Sequence, residues 1–133
     1  MPHLRISEAA QLLGVSDDTL RRWTASGELS TTLDDAGRQV LDGADLAQFA
    51  RQRSTQVPSP GGSSSARNRF VGLVTAVTSD AVMSQVELQC GPYRVVSLMS
   101  TEAVRELGLE PGVVATAGIK ATNVVVERPD RDR

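Results

Sequence analysis

The sequence predicts an α+β chain built as two small domains, a helical one followed by a five-stranded OB-like β-barrel with one short helix. Apolar residues recur at helical spacing in the first third of the chain. Proline, glycine and serine then dominate a stretch near the middle. Beyond it, valine- and threonine-rich runs alternate with polar residues between turn signals. The 133 residues suffice for one ordinary domain or two small ones, and with aromatics at 3% any core must be aliphatic. A net charge of -2 argues against general coating of nucleic acid. Cys90 is single, which excludes an intrachain disulfide and points to a reducing cytoplasm. No apolar run nears the roughly 18 residues of a membrane span, and Met1 to Glu8 lacks signal-peptide character. A soluble cytoplasmic protein without a membrane partner is expected.

Leu4 to about Ala50 reads as a compact helical unit. Ser7 is the expected cap of a first helix, with Glu8 in its first turn, where the helix dipole favours an acid. Ala9, Ala10, Leu12 and Leu13 form its apolar stripe, and Gly14 ends it. Ser16-Asp17-Asp18 opens a second helix that places Leu20 and Trp23 on one face and closes at Gly27. Trp23, at helical spacing from Leu20, is a core anchor rather than a base-stacking group. Two short helices joined by a tight turn with a glycine form the helix-turn-helix pattern. Glu28 to Thr32 and Arg38 to Leu41 are expected to pair as a hairpin around Asp34-Asp35-Ala36-Gly37. Asp42 then caps a third helix, with Leu46 and Phe49 facing the core.

Nothing from Arg51 to Ser64 can bury a face, so residues 54–64 are a linker between a first domain, 1–53, and a second, 65–128. Within the second, strands are expected over Phe70–Val77, Val82–Leu88, Tyr93–Met99, Val113–Ile119 and Thr122–Glu127. Thr101–Leu107 is expected as a helix capped by Ser100 or Thr101. Five short strands and a short helix fit a small OB-like barrel. Residues 129–133 form a charged tail.

Two clusters carry chemistry. Ser65-Ala66-Arg67-Asn68 opens the strand region, and Ile119-Lys120-Ala121-Thr122 lies near its end. Lys120 is the sole lysine of the chain. Both clusters offer hydroxyls and cations without an adjacent acid. That set suits a compact dianion: the hydroxyl donates a hydrogen bond, arginine a planar fork, and lysine a point charge. Taken singly, each residue also fits a solvated loop.

Ser65 to Val126 resembles the Mop/TOBE domain of molbindins and molybdate-responsive repressors. The resemblance rests on Ser65-Ala66-Arg67-Asn68 with Phe70 and Gly72, Glu102-Ala103-Val104 with Leu107-Gly108-Leu109, Pro111-Gly112, and Ile119 to Val124. It implies molybdate or tungstate as ligand and no organic cofactor. Ser65 and Arg67 would come from one subunit, and Lys120, the N–H of Ala121 and the hydroxyl of Thr122 from a neighbour. Ser100 matches the family's hydroxyl at the start of the short helix, where many members continue with arginine and this chain has Thr101. A homo-oligomer, dimer to hexamer, is implied.

Ile6 to Leu29, with Ala9-Ala10, Leu13-Gly14-Val15-Ser16 and Thr19-Leu20-Arg21-Arg22-Trp23, resembles MerR-like and excisionase-type DNA-binding domains, in which a small wing follows the second helix. The resemblance implies double-stranded DNA as partner. Thr19, Arg21 and Arg22 would face the major groove, with Ser16 at the helix start and Arg38 on the wing meeting phosphate. By charge alone, Arg21 and Arg22 read as ordinary solvated helix residues, since Asp17 and Asp18 flank them. Together the two resemblances imply an oxyanion-responsive DNA-binding regulator; a molybdate storage protein whose first domain serves assembly or docking is the alternative. An enzyme is not expected: no nucleophile–base pair, carboxylate pair or metal cluster is recognisable, and His3 stands alone.

Overall fold

A computed structural model describes residues 2–54 and 64–129. The chain divides into two compact units, Met1–Thr55 and Gln56–Arg133. Most of the expected linker and the end of the charged tail lie outside the described residues.

The first unit runs β1 (His3–Arg5), α1 (Ile6–Leu13), α2 (Asp17–Ala25), β2 (Thr32–Leu33), β3 (Gln39–Asp42) and α3 (Gly43–Arg53). Its antiparallel sheet has the order β1-β3-β2, with Leu4 opposite Leu41 and Thr32 opposite Val40. The expected hairpin therefore forms around the turn at 34–37 but starts later than Glu28. Ser7 is not the cap of α1. Strand β1 pairs with β3 and leads straight into the helix, so the cap position falls to Arg5 and Ser7 lies inside the first turn. Glu8 still contributes there, accepting the Arg5 N–H at 3.3 Å. The helix stops at Gly14, whose φ of 69° is open to glycine at little cost, and the Val15 N–H then bonds the Ala10 carbonyl at 3.0 Å.

Ser16 caps α2 by accepting the Thr19 N–H at 3.1 Å, and Asp42 caps α3 through Ala44 at 3.3 Å. Leu20 is fully buried among Ile6, Ala9, Ala10, Leu41 and Phe49. Trp23 packs half-buried against this core, its ring 5.0 Å from that of Phe49, with the Arg53 guanidinium 4.8 Å above it. In the hairpin turn, Asp34 accepts the N–H groups of Arg38 and Ala36 at 2.9 Å each. These bonds, the one from Arg38 foremost, hold its carboxyl below the ordinary carboxylate range. The ionised form thus belongs to the folded turn. Its contribution is complete above the ordinary carboxylate pKa and is lost only as pH falls through the lowered value.

The second unit runs β4 (Asn68–Ser79), β5 (Met83–Cys90), β6 (Tyr93–Ser100), α4 (Thr101–Leu107) and β7 (Val114–Ile119), followed by a 3-10 turn, Ala121–Asn123. Its strands form one antiparallel sheet in the order β6-β5-β4-β7. Strand β4 serves two partners: its first half pairs with β7 and its second with β5, with a bulge between Val74 and Ala76. The sheet curls into a half-barrel. Ser84, Val86, Leu88 and Cys90 alternate inward with Val74, and Val104 of α4 closes one side of the core. The other side is open, leaving between β6 and β7 a concavity of about 450 Å³ lined by residues such as Val86, Val95, Met99, Ala115 and Ile119.

Thr122–Glu127, expected as a fifth strand, is not one in this chain. The 3-10 turn interrupts the run after Ile119, and among the described residues no sheet edge pairs with the segment beyond that turn. Val124, Val125 and Val126 stand 45%, 82% and 89% exposed. The described sheet therefore has four strands.

Gly72 marks the tightest approach in the half-barrel. A Cβ there would sit 2.6 Å from the Cys90 Sγ and 3.0 Å from the Gln89 carbonyl oxygen. Gly72→Ala is expected to destabilise the second unit by about 1–3 kcal/mol through overpacking. Chemical denaturation would show this, with Cys90→Ala restoring part of the loss.

Candidate functional site

In the second unit, register brings the two polar clusters together. Asn68 lies opposite Ile119, and its side-chain amide donates to the Ile119 carbonyl at 3.1 Å. Ser65 to Arg67 and Lys120 to Thr122 thus leave the same end of the β4–β7 pair. Ala66 lies over Gly118; a Cβ there would meet that of Ala66 at 3.7 Å, an ordinary contact. The Arg67 guanidinium donates to the Ser64 carbonyl at 3.1 Å. Ser65, Arg67, Lys120, Ala121 and Thr122 are all exposed. The N–H groups of Ala121 and Thr122 lead the 3-10 turn, where a helical turn has no internal acceptor for them.

Ser100 ends β6 opposite Met83, level with the Ser79–Ser84 end of the sheet, so the register within one copy does not bring it to the Asn68–Ile119 end. Ser100 also caps α4, accepting the Ala103 N–H at 3.1 Å. The rim therefore gathers one arginine, one lysine, the hydroxyls of Ser65 and Thr122 and two leading backbone N–H groups, with no carboxylate among residues 64–68 and 119–124. Such a set can surround a tetrahedral anion with donors and positive charge.

Sequence reasoning missed two features. Thr101, at the position where many Mop/TOBE domains carry arginine, is buried and structural. Its hydroxyl bonds the Asp80 carbonyl at 2.9 Å and the Ser84 hydroxyl at 2.9 Å, and Ser84 in turn meets Ser79 at 2.6 Å. This relay fixes the start of α4 to the β4–β5 hairpin. The Asp80 carboxylate accepts the N–H groups of Met83 and Val82, which hold its pKa below the ordinary value. The second missed feature is Arg69 on β4, one of whose guanidinium nitrogens is enclosed without a hydrogen-bond partner. Buried donors are ordinarily hydrogen-bonded, so this one stands out among the described residues.

In the first unit the expected DNA-facing residues separate into two groups. Ser16, Thr19 and Arg22 form a bonded row along α2: the Ser16 hydroxyl donates to the Thr19 hydroxyl at 3.0 Å, and Arg22 donates to that same oxygen at 3.1 Å. Arg21 turns away from the row and shares a recess with Arg38, Arg5 and Ser7. Arg5 escapes sequence reasoning, because nothing in its local sequence shows which element it will face. Among the described residues no cluster of three or more metal-ligating side chains occurs, and no helix is long and apolar enough to cross a membrane.

Comparison with known proteins divides the chain in the same two parts. Residues 64–126 match the TOBE domain model, and residues 4–54 match a helix-turn-helix domain model. Molybdenum-pterin-binding protein 3 of Clostridium pasteurianum is 38% identical over 63 residues, which are 47% of this chain and 93% of that protein. A probable molybdenum-pterin-binding protein of Haemophilus influenzae is 43% identical over 63 residues, covering 47% of this chain and 91% of its own length. Among solved structures, the cytoplasmic molybdate-binding protein ModG with molybdate bound is 41% identical. The match covers 53% of this chain and 50% of that one, with a TM-score of 0.48.

Proposed function

Since the chain belongs to the TOBE domain family and carries a helix-turn-helix domain ahead of that module, we propose that it is a cytoplasmic regulator that binds molybdate or tungstate through its second unit and double-stranded DNA through its first. The observation that carries the ligand half is that Ser65 and Arg67 leave the same carboxylate-free end of the β4–β7 pair as Lys120, Ala121 and Thr122; Ser100, at the other end of the sheet, would be supplied by a second copy. Molybdate is a tetrahedral dianion that stays unprotonated near neutral pH, so it rewards cations and donors on several sides. Arg67 supplies a fork, Lys120 a point charge, and the hydroxyls and the leading N–H groups the remaining contacts.

The ligand site is completed by a second copy. Three features support this: the open side between β6 and β7, the exposed Val124–Val126 run, and the orphaned Arg69 nitrogen. A run of three valines is suited to add to a neighbour's sheet as the fifth strand of its barrel. Oligomerisation, dimer to hexamer, then links oxyanion occupancy to the spacing of the paired DNA-binding units. No catalytic step belongs to this reading.

Calorimetry with molybdate, tungstate, sulfate and phosphate tests the ligand. Fluorescence anisotropy with the DNA upstream of the coding region, with and without molybdate, tests the regulator. Selective, ligand-sensitive DNA binding at moderate salt is the expected result. Oxyanion binding without any selective DNA affinity would favour the storage reading instead. The acids beside the first unit's arginines, Asp18 at 3.8 Å from Arg21 and Asp34 at 3.1 Å from Arg38, are the observation on that side.

A further inference from the structure

The recess at the start of α1 is walled by Arg5 from β1, Arg21 from α2 and Arg38 beside β3, with Ile6, Ser7 and Gln39 completing it. Its volume is about 260 Å³, and no carboxylate lines it. Three arginines from three separate elements border one recess; their like charges gain nothing from each other there, and all three are exposed. Each has an acid nearby, and at Arg5 it is Glu8, whose carboxylate accepts the backbone N–H at 3.3 Å and not the guanidinium. Arg38 gives its Nε to Asp34, and Arg21 lies 3.8 Å from Asp18, beyond hydrogen-bond reach. Their side chains nevertheless remain 53% and 61% exposed, and a guanidinium with five N–H donors keeps most of them after one such contact. Beside them, the first turn of α1 has an arginine at its cap position, which offers no side-chain acceptor to the leading N–H groups.

We infer that this recess seats one backbone phosphate of the DNA, and that Arg5 is a phosphate-binding residue alongside Arg21 and Arg38. The inference rests on the DNA-binding reading and refines it. The Ser16–Thr19–Arg22 row faces the bases or their immediate backbone, whereas the recess grips a phosphate without reading sequence. Arg21 therefore belongs with the clamp and Arg22 with the row, although they are neighbours in the chain.

The test uses the full chain and two fluorescein-labelled duplexes, the upstream DNA and a scrambled one, titrated by anisotropy between about 50 and 200 mM salt. Arg5→Gln is expected to weaken both duplexes by the same factor, roughly three- to ten-fold, and to lower the slope of log affinity against log salt by about 0.9. Arg21→Gln should behave alike, and Arg51→Gln, an exposed arginine of α3 outside the recess, should change neither quantity. An unchanged thermal midpoint of each variant shows that the fold is kept. Salt-dependent binding by the parent chain with unaltered slope and affinity in Arg5→Gln and Arg21→Gln would overturn the phosphate seat while leaving DNA binding intact. A loss confined to the upstream duplex would overturn it too, since that is base reading. No salt-dependent binding by the parent chain would sink both readings.

Discussion

Arg67→Ala and Lys120→Ala each sharply reduce the thermal stabilisation that molybdate gives. At about 1,000 times its dissociation constant, the ligand adds roughly 4 kcal/mol to the parent chain. Removing one charged donor costs about 1.5–3 kcal/mol of binding. At the same molybdate concentration, the stabilisation of either variant then falls to roughly 1–3 kcal/mol. Both side chains are exposed, so the midpoints without ligand stay at the parent's value. Differential scanning calorimetry reads all of these quantities at once. A full molybdate shift in both variants would place the anion elsewhere.

Leu20→Ala abolishes DNA binding and spares oxyanion binding. Leu20 is 0% exposed at the centre of the first unit's core, and truncating a buried leucine costs about 2–5 kcal/mol. A unit of this size holds few kcal/mol in reserve. It is expected to unfold at ordinary temperatures in the variant, with loss of helical circular dichroism. The second unit keeps its own core of Val74, Val86, Leu88, Cys90 and Val104, and with it the molybdate-dependent transition. A variant that retains full DNA affinity, or that loses both transitions together, would show that the two cores are not independent.

Local signals explain which elements are legible in the sequence alone. Ser16 before two acids, Asp42 before α3 and Ser100 before α4 are each followed by apolar residues at helical spacing, and each proves to be a cap. Strands β5 and β6 show as alternation because one face is buried and the other is not. Short or cooperative features leave no such trace. Strand β1 is three residues long, too brief for any period, so local signals set the cap of α1 at Ser7 when it lies at Arg5. The recess of Arg5, Arg21 and Arg38 draws on elements whose neighbourhood exists only after folding. At the rim, the two anion clusters are legible as chemistry, but their meeting depends on the register of Asn68 with Ile119. Thr122–Glu127 reads as a strand because valines favour one. A strand, however, is made by pairing, and among the described residues this chain alone offers that run no partner.

The bare Val124–Val126 run makes solitude hazardous for this protein if, as proposed, a neighbour's sheet is its partner. In the proposed oligomer a neighbour's sheet shelters those side chains; dilution would uncover them, and an uncovered apolar run invites promiscuous aggregation. On that reading, working lifetime is set by abundance as much as by sequence: scarce copies would be exposed ones, and a crowded population would protect itself.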